Sequence, residues 1–148
     1  MDFLKYAGKG NDMLDELAEE LGFSTNRQLA FRTMKSTFHV LRDVLTIKES
    51  FRLIEQLPFI MKALYVEGWQ FLNEPKKIDS IHDFVREMIH EDQQGHSDFQ
   101  TVKDGENALM AVFKVLKNHI SESHLTNILS TLPTEIWPLF GKLNMQSK

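Results

Sequence analysis

The feature that most constrains this chain is an internal repeat with a spacing of 75 residues. Six residues of the segment 38–66 have an identical residue 75 positions later. Their matches fall at apolar and helix-flanking positions, so chance is a poor explanation for them. The chain is therefore predicted to hold two copies of one helical unit. The matched residues are Phe38, Val40, Leu41, Leu57, Pro58 and Leu64, and Phe113, Val115, Leu116, Leu132, Pro133 and Leu139.

Helical periodicity runs through both copies. Apolar residues recur at intervals of three and four around Leu17, around Phe38 and from Leu109 to Ile120, which is the spacing of one face of a helix. Pro58 and Pro133 lack a backbone N–H, which costs nothing in the first turn of a helix. Each is therefore predicted to end one helix and to open the next.

Hydroxyl side chains mark further helix starts. A Ser or Thr at an N-cap accepts a hydrogen bond from the backbone two or three residues later. A capping box adds a Glu, Gln or Asp at the third helical position. These spacings predict helix starts at Thr25 (with Gln28), Thr46 (with Glu49), Thr101 (with Asp104) and Ser121.

Two helices are assigned from their apolar faces. The short helix after Thr46 is predicted to turn Phe51, Ile54 and Leu57 inward. A further helix is predicted near residues 79–92, with an apolar face that includes Met88.

These segments add up to an all-α fold of about eight helices in one bundle-like domain, residues 1–148. The first helical repeat is predicted at 12–67, a linker at 68–78 and the second repeat at 79–143. Two units are too few for a solenoid. We expect the two similar halves to pack inner face to inner face with approximate two-fold pseudo-symmetry.

Several segments together resemble a known family. The segments ELAEELG, FHVLRDVLTIKESFRLIEQLP, ALYVEGW and KVLKNHISESHLTNILSTLPTEIWPLF are similar to the bacterial family catalogued as domain of unknown function 2267. The resemblance runs from about Asn11 to Phe140, and the first ten residues look like an extension. It implies a small, all-helical, cytoplasmic bacterial protein. It supplies no activity and therefore no catalytic residues.

Composition excludes several classes of function. The chain has no cysteine, which excludes disulfides, thiolate metal sites and cysteine nucleophiles. No apolar run approaches the roughly 20 residues of a membrane-spanning helix, so no membrane association is expected. The net charge is −4, and the basic run from Arg27 to Arg42 is short, so no nucleic-acid partner is expected. The acidic run before it, Asp12 to Glu20, is expected to pair with it or to be solvated.

One acidic cluster could hold a metal ion. Asp83, Glu87, His90 and Glu91 share one face of the predicted helix. Glu-x-x-His is the spacing that di-iron bundles use, but those sites need a second such pair and further carboxylates. The face is opposite the apolar one, so a solvated surface is the preferred interpretation. Glu87, His90 and Glu91 remain the candidate ligands, and no cofactor is expected.

Aromatic residues cluster around the repeated Leu-Pro pairs. Rings of this kind bury large areas where helices meet, so they are expected to close the core at the seam between the halves. The functional alternative is a groove that holds a partner helix or an apolar ligand. The candidate groove residues are Phe59, Tyr65, Trp69 and Trp137.

The sequence favours a non-enzymatic protein-interaction module whose partner is an unidentified protein or a second copy of the chain. No nucleophile constellation, complete metal set or phosphate loop is recognisable in it. The alternative is a small-molecule or metal-binding protein, or an enzyme, that uses a pocket between the two halves.

Overall fold

The computed structural model describes residues 2–70, 74–92, 95–132, 134 and 137–138. Within these residues all regular structure is helical, which confirms the all-α class. In the described ranges, seven helices have eight or more residues, and α6 is a single turn of four. Their bounds are α1 Phe3–Glu20, α2 Arg27–Val44, α3 Ile47–Gln56, α4 Phe59–Val66, α5 Ile81–Glu91, α6 Gly95–Asp98, α7 Val102–His119 and α8 Glu122–Leu129.

Most of the predicted helix ends are confirmed. Thr46 and Ser121 are the N-caps of α3 and α8. Thr101 forms a complete capping box with Asp104 at the start of α7. Pro58 stands between α3 and α4, as the N-cap residue of α4. Pro133 lies outside the described residues.

One predicted start is displaced. The N-cap of α2 is Asn26, whose side chain accepts a hydrogen bond from Leu29 N at 3.0 Å, and the expected capping box of Thr25 and Gln28 is wrong. The cause lies in the turn before it. Gly22, at φ +85°, ends α1 in the left-handed conformation that glycine tolerates, and Asn26 N then donates to Phe23 O at 2.8 Å. This turn places Asn26 at the N-cap, immediately before the first residue of α2.

The rotation of α3 also differs from the prediction. Phe51 was expected to face inward, but it is 52% exposed, whereas Ser50 and Leu53 are fully buried. Ser50 Oγ lies 2.7 Å from the hydroxyl of the buried Tyr65. A buried tyrosine hydroxyl needs a partner, and supplying it turns the Ser50 side of α3 toward the core.

Corresponding helices of the two predicted repeats begin 75 residues apart. The pair α2 and α7 begins at residues 27 and 102 and ends at 44 and 119, so both ends are 75 apart. The pair α3 and α8 begins at 47 and 122. The leading helices α1 and α5 each contact both α2 and α7. This is the arrangement expected for two similar halves, and their two-fold symmetry stays a prediction.

One contiguous cluster of buried side chains draws on both predicted repeats. It includes Leu17 of α1, Phe38 of α2, Leu53 of α3, Met88 of α5 and Leu109 of α7. Two glycines permit close contacts between helices. A Cβ at Gly10 would lie 2.1 Å from Ile60 of α4, and one at Gly105 would lie 2.2 Å from Val85 of α5. Among the described residues, no helix is long and apolar enough to cross a membrane.

Candidate interaction surface

The inner side of α4 is held in place by polar side chains of α2. Arg42 Nη1 donates to the carbonyl oxygens of Tyr65 at 2.8 Å and Glu67 at 2.7 Å. His39 Nε2 lies 3.1 Å from the carbonyl oxygen of Leu64, and it must be the donor because a carbonyl only accepts. These contacts satisfy the free carbonyls at the end of α4. They fix which side of α4 faces the core.

Burial shifts the pKa values of two groups on the inner side of α4, His39 of α2 and Tyr65 of α4 itself, in the direction that favours the neutral form. Burial lowers the pKa of His39, against the opposing effects of the Leu64 carbonyl and the Glu91 carboxylate. Burial raises the pKa of the Tyr65 hydroxyl. At neutral pH the His39 and Tyr65 side chains serve as uncharged hydrogen-bonding groups. The positive charge beside the end of α4 is that of Arg42.

The outer side of α4 is apolar and exposed. Phe59, Ile60, Ala63 and Val66 all lie on the surface, at helical positions i, i+1, i+4 and i+7. At 100° per residue these positions form one stripe along the helix. Lys62, which is half-buried, is the only charged residue in α4. The helix therefore has an apolar face on each side, one in the core and one in solvent.

The first turns of α1 enlarge this exposed face. The rings of Tyr6 and Phe59 are 5.1 Å apart between centroids. Phe3 precedes Tyr6 by three residues, so it continues the same side of the helix. Phe3 is 70% exposed. We call the set formed by Phe3, Tyr6, Phe59, Ile60, Ala63 and Val66 the α1–α4 surface.

The four aromatic residues predicted to line a groove lie in different environments. Phe59 is 54% exposed and lies on the α1–α4 surface. Tyr65 is fully buried, between Phe38 and Trp69, and it therefore belongs to the core. Trp69 is half-buried and meets Tyr65 edge to face, with ring centroids 5.8 Å apart. Trp137 donates its indole N–H to Leu129 O at 3.1 Å, beside α8.

Sequence reasoning missed Phe3, Ile60 and Val66 as surface residues. The signal that could have found them is the composition of α4, FIMKALYV, which is too apolar for a helix with one buried side. The other signal is Phe3, which continues the apolar side of α1 toward the start of the helix.

The three candidate metal ligands, Glu87, His90 and Glu91, have different neighbours. Glu87 Oε2 pairs with Lys76 Nζ at 2.7 Å. Glu91 Oε2 lies 3.8 Å from His39 Nδ1. His90 is exposed. Within the part of the chain that the structure describes, no three His, Asp or Glu side chains are grouped closely enough to hold a metal ion.

The acidic and basic runs are largely used in pairing. Arg27 forms a two-pronged contact with Asp15 between α2 and α1, at 2.8 and 2.9 Å. Two other acids of α1 pair with α7: Glu16 lies 2.9 Å from His119, and Glu20 lies 3.1 Å from Lys114. The acidic side of α1 thus forms ion pairs with both α2 and α7. The sequence had predicted pairing only with the basic run of α2, or exposure to solvent.

A cleft of about 520 Å³ lies between the turn joining α1 to α2 and the start of α7. Several of its charged side chains already have partners within the chain. Glu20 and Lys114 pair across one rim. Asp98 receives two hydrogen bonds from Arg32, at 2.8 and 3.0 Å. Burial alone would raise the pKa of Asp98, but hydrogen bonds with Arg32 and Asp92 outweigh it and leave the pKa lowered.

A family model described as "Uncharacterized conserved protein (DUF2267)" matches residues 10–139. The chain belongs to this family. The match includes α2 to α8 in full and α1 from Gly10 onward. In this DUF2267 chain, Phe3 and Tyr6 thus precede the matched region, whereas the exposed face of α4 lies inside it. A search of the curated proteins found no match.

Proposed function

We propose that this DUF2267 chain is a non-enzymatic protein-interaction module and that the α1–α4 surface is its docking face. The observation that carries the proposal is the second apolar face of α4, which lies in solvent although α2 holds the helix firmly in place. Contiguous exposed apolar patches mark interaction sites on proteins. A rigid helix costs little conformational entropy to bury, which favours binding.

The chemistry of this face fits an apolar stripe on a partner protein. Its side chains are aromatic and aliphatic, and they follow the period of a helix, so an amphipathic helix could pack along it. Ala63 lies in the stripe among larger side chains and would admit a ridge of the partner. Lys62 borders the stripe, as charged groups commonly do at the rims of protein interfaces.

Site-specific photo-crosslinking tests the proposal. A benzoylphenylalanine at position 59 should form a discrete adduct with a protein in cells that express the full chain. Position 51 is the matched control, because Phe51 is 52% exposed and Phe59 is 54% exposed, yet Phe51 lies on α3. Adducts at neither position, or equal adducts at both, would contradict a docking role for the α1–α4 surface.

The second candidate function is binding of a small molecule in the cleft beside α7. It is favoured by the size of the cleft, about 520 Å³, since ligand pockets commonly enclose about 300–1,000 Å³. It also lies between residues of the first and the second predicted repeat, where a ligand site was expected. Against it, Asp98 and Glu20 already have cationic partners within the chain.

Native mass spectrometry separates the two candidates. The full chain, purified without chelator, should appear without a bound small molecule or metal ion if the interaction role is correct. A stoichiometric adduct that is retained in Phe59→Ser and lost in Asn107→Trp, which would fill the cleft, would favour the second candidate. Asn107 is exposed and lines the cleft, so the larger side chain is not forced into the core.

A further inference from the structure

We infer that the cleft beside α7 binds an uncharged, partly apolar small molecule that carries hydrogen-bonding groups. The inference rests on the second candidate function and gives it a ligand class. It does not involve the α1–α4 surface. Tyr6 of that surface and Glu20 of the cleft lie about 20 Å apart along α1 by helix geometry, so one molecule can use both sites.

The charged side chains of the cleft are engaged within the chain. Among the described residues, four such side chains line it. Glu20 Oε2 and Lys114 Nζ are 3.1 Å apart. Asp98 receives two hydrogen bonds from Arg32. Asp104 accepts a hydrogen bond at 3.1 Å from the N-cap backbone of α7. A charged ligand would have to replace one of these contacts or leave its own charge without a close partner.

The balance of these charges favours an uncharged ligand over a charged one. Three carboxylates and one ammonium are found among the described lining residues, so an anion would meet net repulsion. A cation would meet Asp104, which is exposed, but an exposed ion pair contributes little free energy. An uncharged ligand leaves the existing contacts in place and can use the uncharged polar groups of the lining.

A buried hydroxyl on the inner side of the cleft lacks a partner. Thr33 of α2 lines the cleft and is fully buried. Its Oγ1 has no hydrogen-bond partner within the described part of the chain, although its backbone oxygen accepts from Ser36 and Thr37. A buried polar group without a partner is costly. Because a threonine hydroxyl both donates and accepts, a hydroxyl or amide of the ligand can supply the partner.

The rest of the lining suits an apolar body with a second polar end. Phe99 is buried, Met110 is half-buried, and Phe23 is 60% exposed. Gln100 and Asn107 are exposed, and their amides both donate and accept hydrogen bonds. The cleft volume of about 520 Å³ is sufficient for an aromatic ring with a short polar arm at each end.

Three probes of similar size and different charge test the ligand class. The uncharged probe is para-hydroxyphenylacetamide, which has a phenol hydroxyl at one end and an amide at the other. In para-hydroxyphenylacetate a carboxylate replaces the amide, and tyramine carries an ammonium group instead. Each is titrated into the isotope-labelled full chain, and the backbone N–H signals are followed by NMR.

The uncharged probe should produce saturable chemical-shift changes at the backbone N–H groups of Phe99 and Asn107. Its dissociation constant should be in the millimolar range or tighter, and the two charged probes should bind at least tenfold more weakly. A ligand that binds this weakly is lost during purification, so the inference is compatible with a native mass spectrum of the free chain.

Two buried threonines of α2 provide a matched pair of variants. Thr33→Val removes the unpartnered hydroxyl at nearly constant volume, so it should weaken binding of the uncharged probe at least threefold without lowering the melting temperature. Thr37 lies one turn farther along α2 and is equally buried. Thr37→Val removes the hydrogen bond to Thr33 O, so it should lower the melting temperature and leave binding unchanged. Asn107→Trp should abolish binding because the larger side chain fills the cleft.

The possible outcomes separate the ligand class from the functions proposed above. Tighter binding of either charged probe at the same N–H groups would overturn the uncharged class and retain the cleft as a ligand site. Binding that is insensitive to Thr33→Val would also overturn the inference, because the buried hydroxyl would then play no part. If none of the probes gives a saturable shift, the inference and the second candidate function both fail. The docking role of the α1–α4 surface is decided independently, by crosslinking at position 59.

Discussion

Two glycines of α1, two positions apart, should respond in opposite ways to alanine. A Cβ at Gly10 would lie 2.1 Å from Cγ2 of Ile60, whereas a Cβ at Gly8 would meet nothing within 4 Å. Gly10→Ala should force α1 away from α4 and destabilise the fold by about 1–3 kcal/mol. Gly8→Ala should stabilise it by about 0.5–1 kcal/mol because alanine favours a helix. Urea unfolding measures both, and a stabilised Gly10→Ala would contradict the close approach of the two helices.

A single buried histidine should make stability depend on pH near neutrality. Burial lowers the pKa of His39 below its ordinary value of 6.5. As the pH falls, the unfolded chain therefore takes up this proton before the folded chain does. The free energy of unfolding is fully retained above about pH 6.5 and declines as the pH falls from there through the pKa of the folded state.

The variant His39→Gln should flatten this pH dependence, because glutamine keeps an N–H donor for the Leu64 carbonyl and does not titrate. His90→Gln is the matched control, since His90 is exposed on α5 and should leave the wild-type slope in place. The measurement is the free energy of unfolding in urea at pH values above and below 6.5. Retention of the full wild-type slope in His39→Gln would rule out His39 as its source.

At the scale of helices, the corrected start of α2 gives a direct comparison. Asn26 accepts the hydrogen bond from Leu29 N, so Asn26→Ala should cost about 1 kcal/mol. Thr25 is exposed and precedes the cap, so Thr25→Ala should change stability by less than about 0.5 kcal/mol. Thermal or urea unfolding ranks the two variants. A larger loss at Thr25 would restore the start predicted from the sequence.

Several helix starts were predictable because one residue decides them locally. Pro58 and Ser121 mark their helices through a missing N–H and a capping hydroxyl, and both effects operate without tertiary contacts. The rotation of α3 was not predictable, because Ser50 turns inward to reach the hydroxyl of Tyr65, fifteen residues away. Periodicity placed Phe51 on an apolar side but could not reveal this polar partner.

The candidate surface was predictable only in part for a similar reason. Phe59 was recognised as a possible contact because it follows the repeated Leu-Pro pair. Its neighbours on α1 were not, because exposure of Phe3 depends on how far α1 extends beyond α4. That distance is set by the crossing of the two helices at Gly10 and Ile60. A sequence pattern records the apolar side chains but not which of them another helix covers.

At the scale of the whole molecule, the two predicted repeats share one set of contacts. The acidic side of α1 is linked to α7 through Glu16 with His119 and Glu20 with Lys114. These exposed ion pairs contribute little stability. The buried cluster contributes far more, because it joins side chains of α1, α2, α5 and α7 without interruption. We therefore expect both repeats to unfold together.

Matched core variants test whether the repeats form one cooperative unit. Phe38 and Phe113 stand 75 residues apart, one in α2 and one in α7, and both are buried. Truncation of either ring to alanine should cost about 3–5 kcal/mol because it leaves a cavity. Glu87→Ala should cost less than about 1 kcal/mol, since it removes only a partly exposed ion pair with Lys76.

Calorimetry should then show a single transition in each protein, shifted to lower temperature by a similar amount in Phe38→Ala and Phe113→Ala. Because the two rings belong to different repeats, a shared core transmits the loss at either site to the entire chain. Two transitions, of which each variant lowers only one, would instead mean that the repeats fold separately. Equal and small shifts in Phe113→Ala and Glu87→Ala would show that this ring is not part of the core at all.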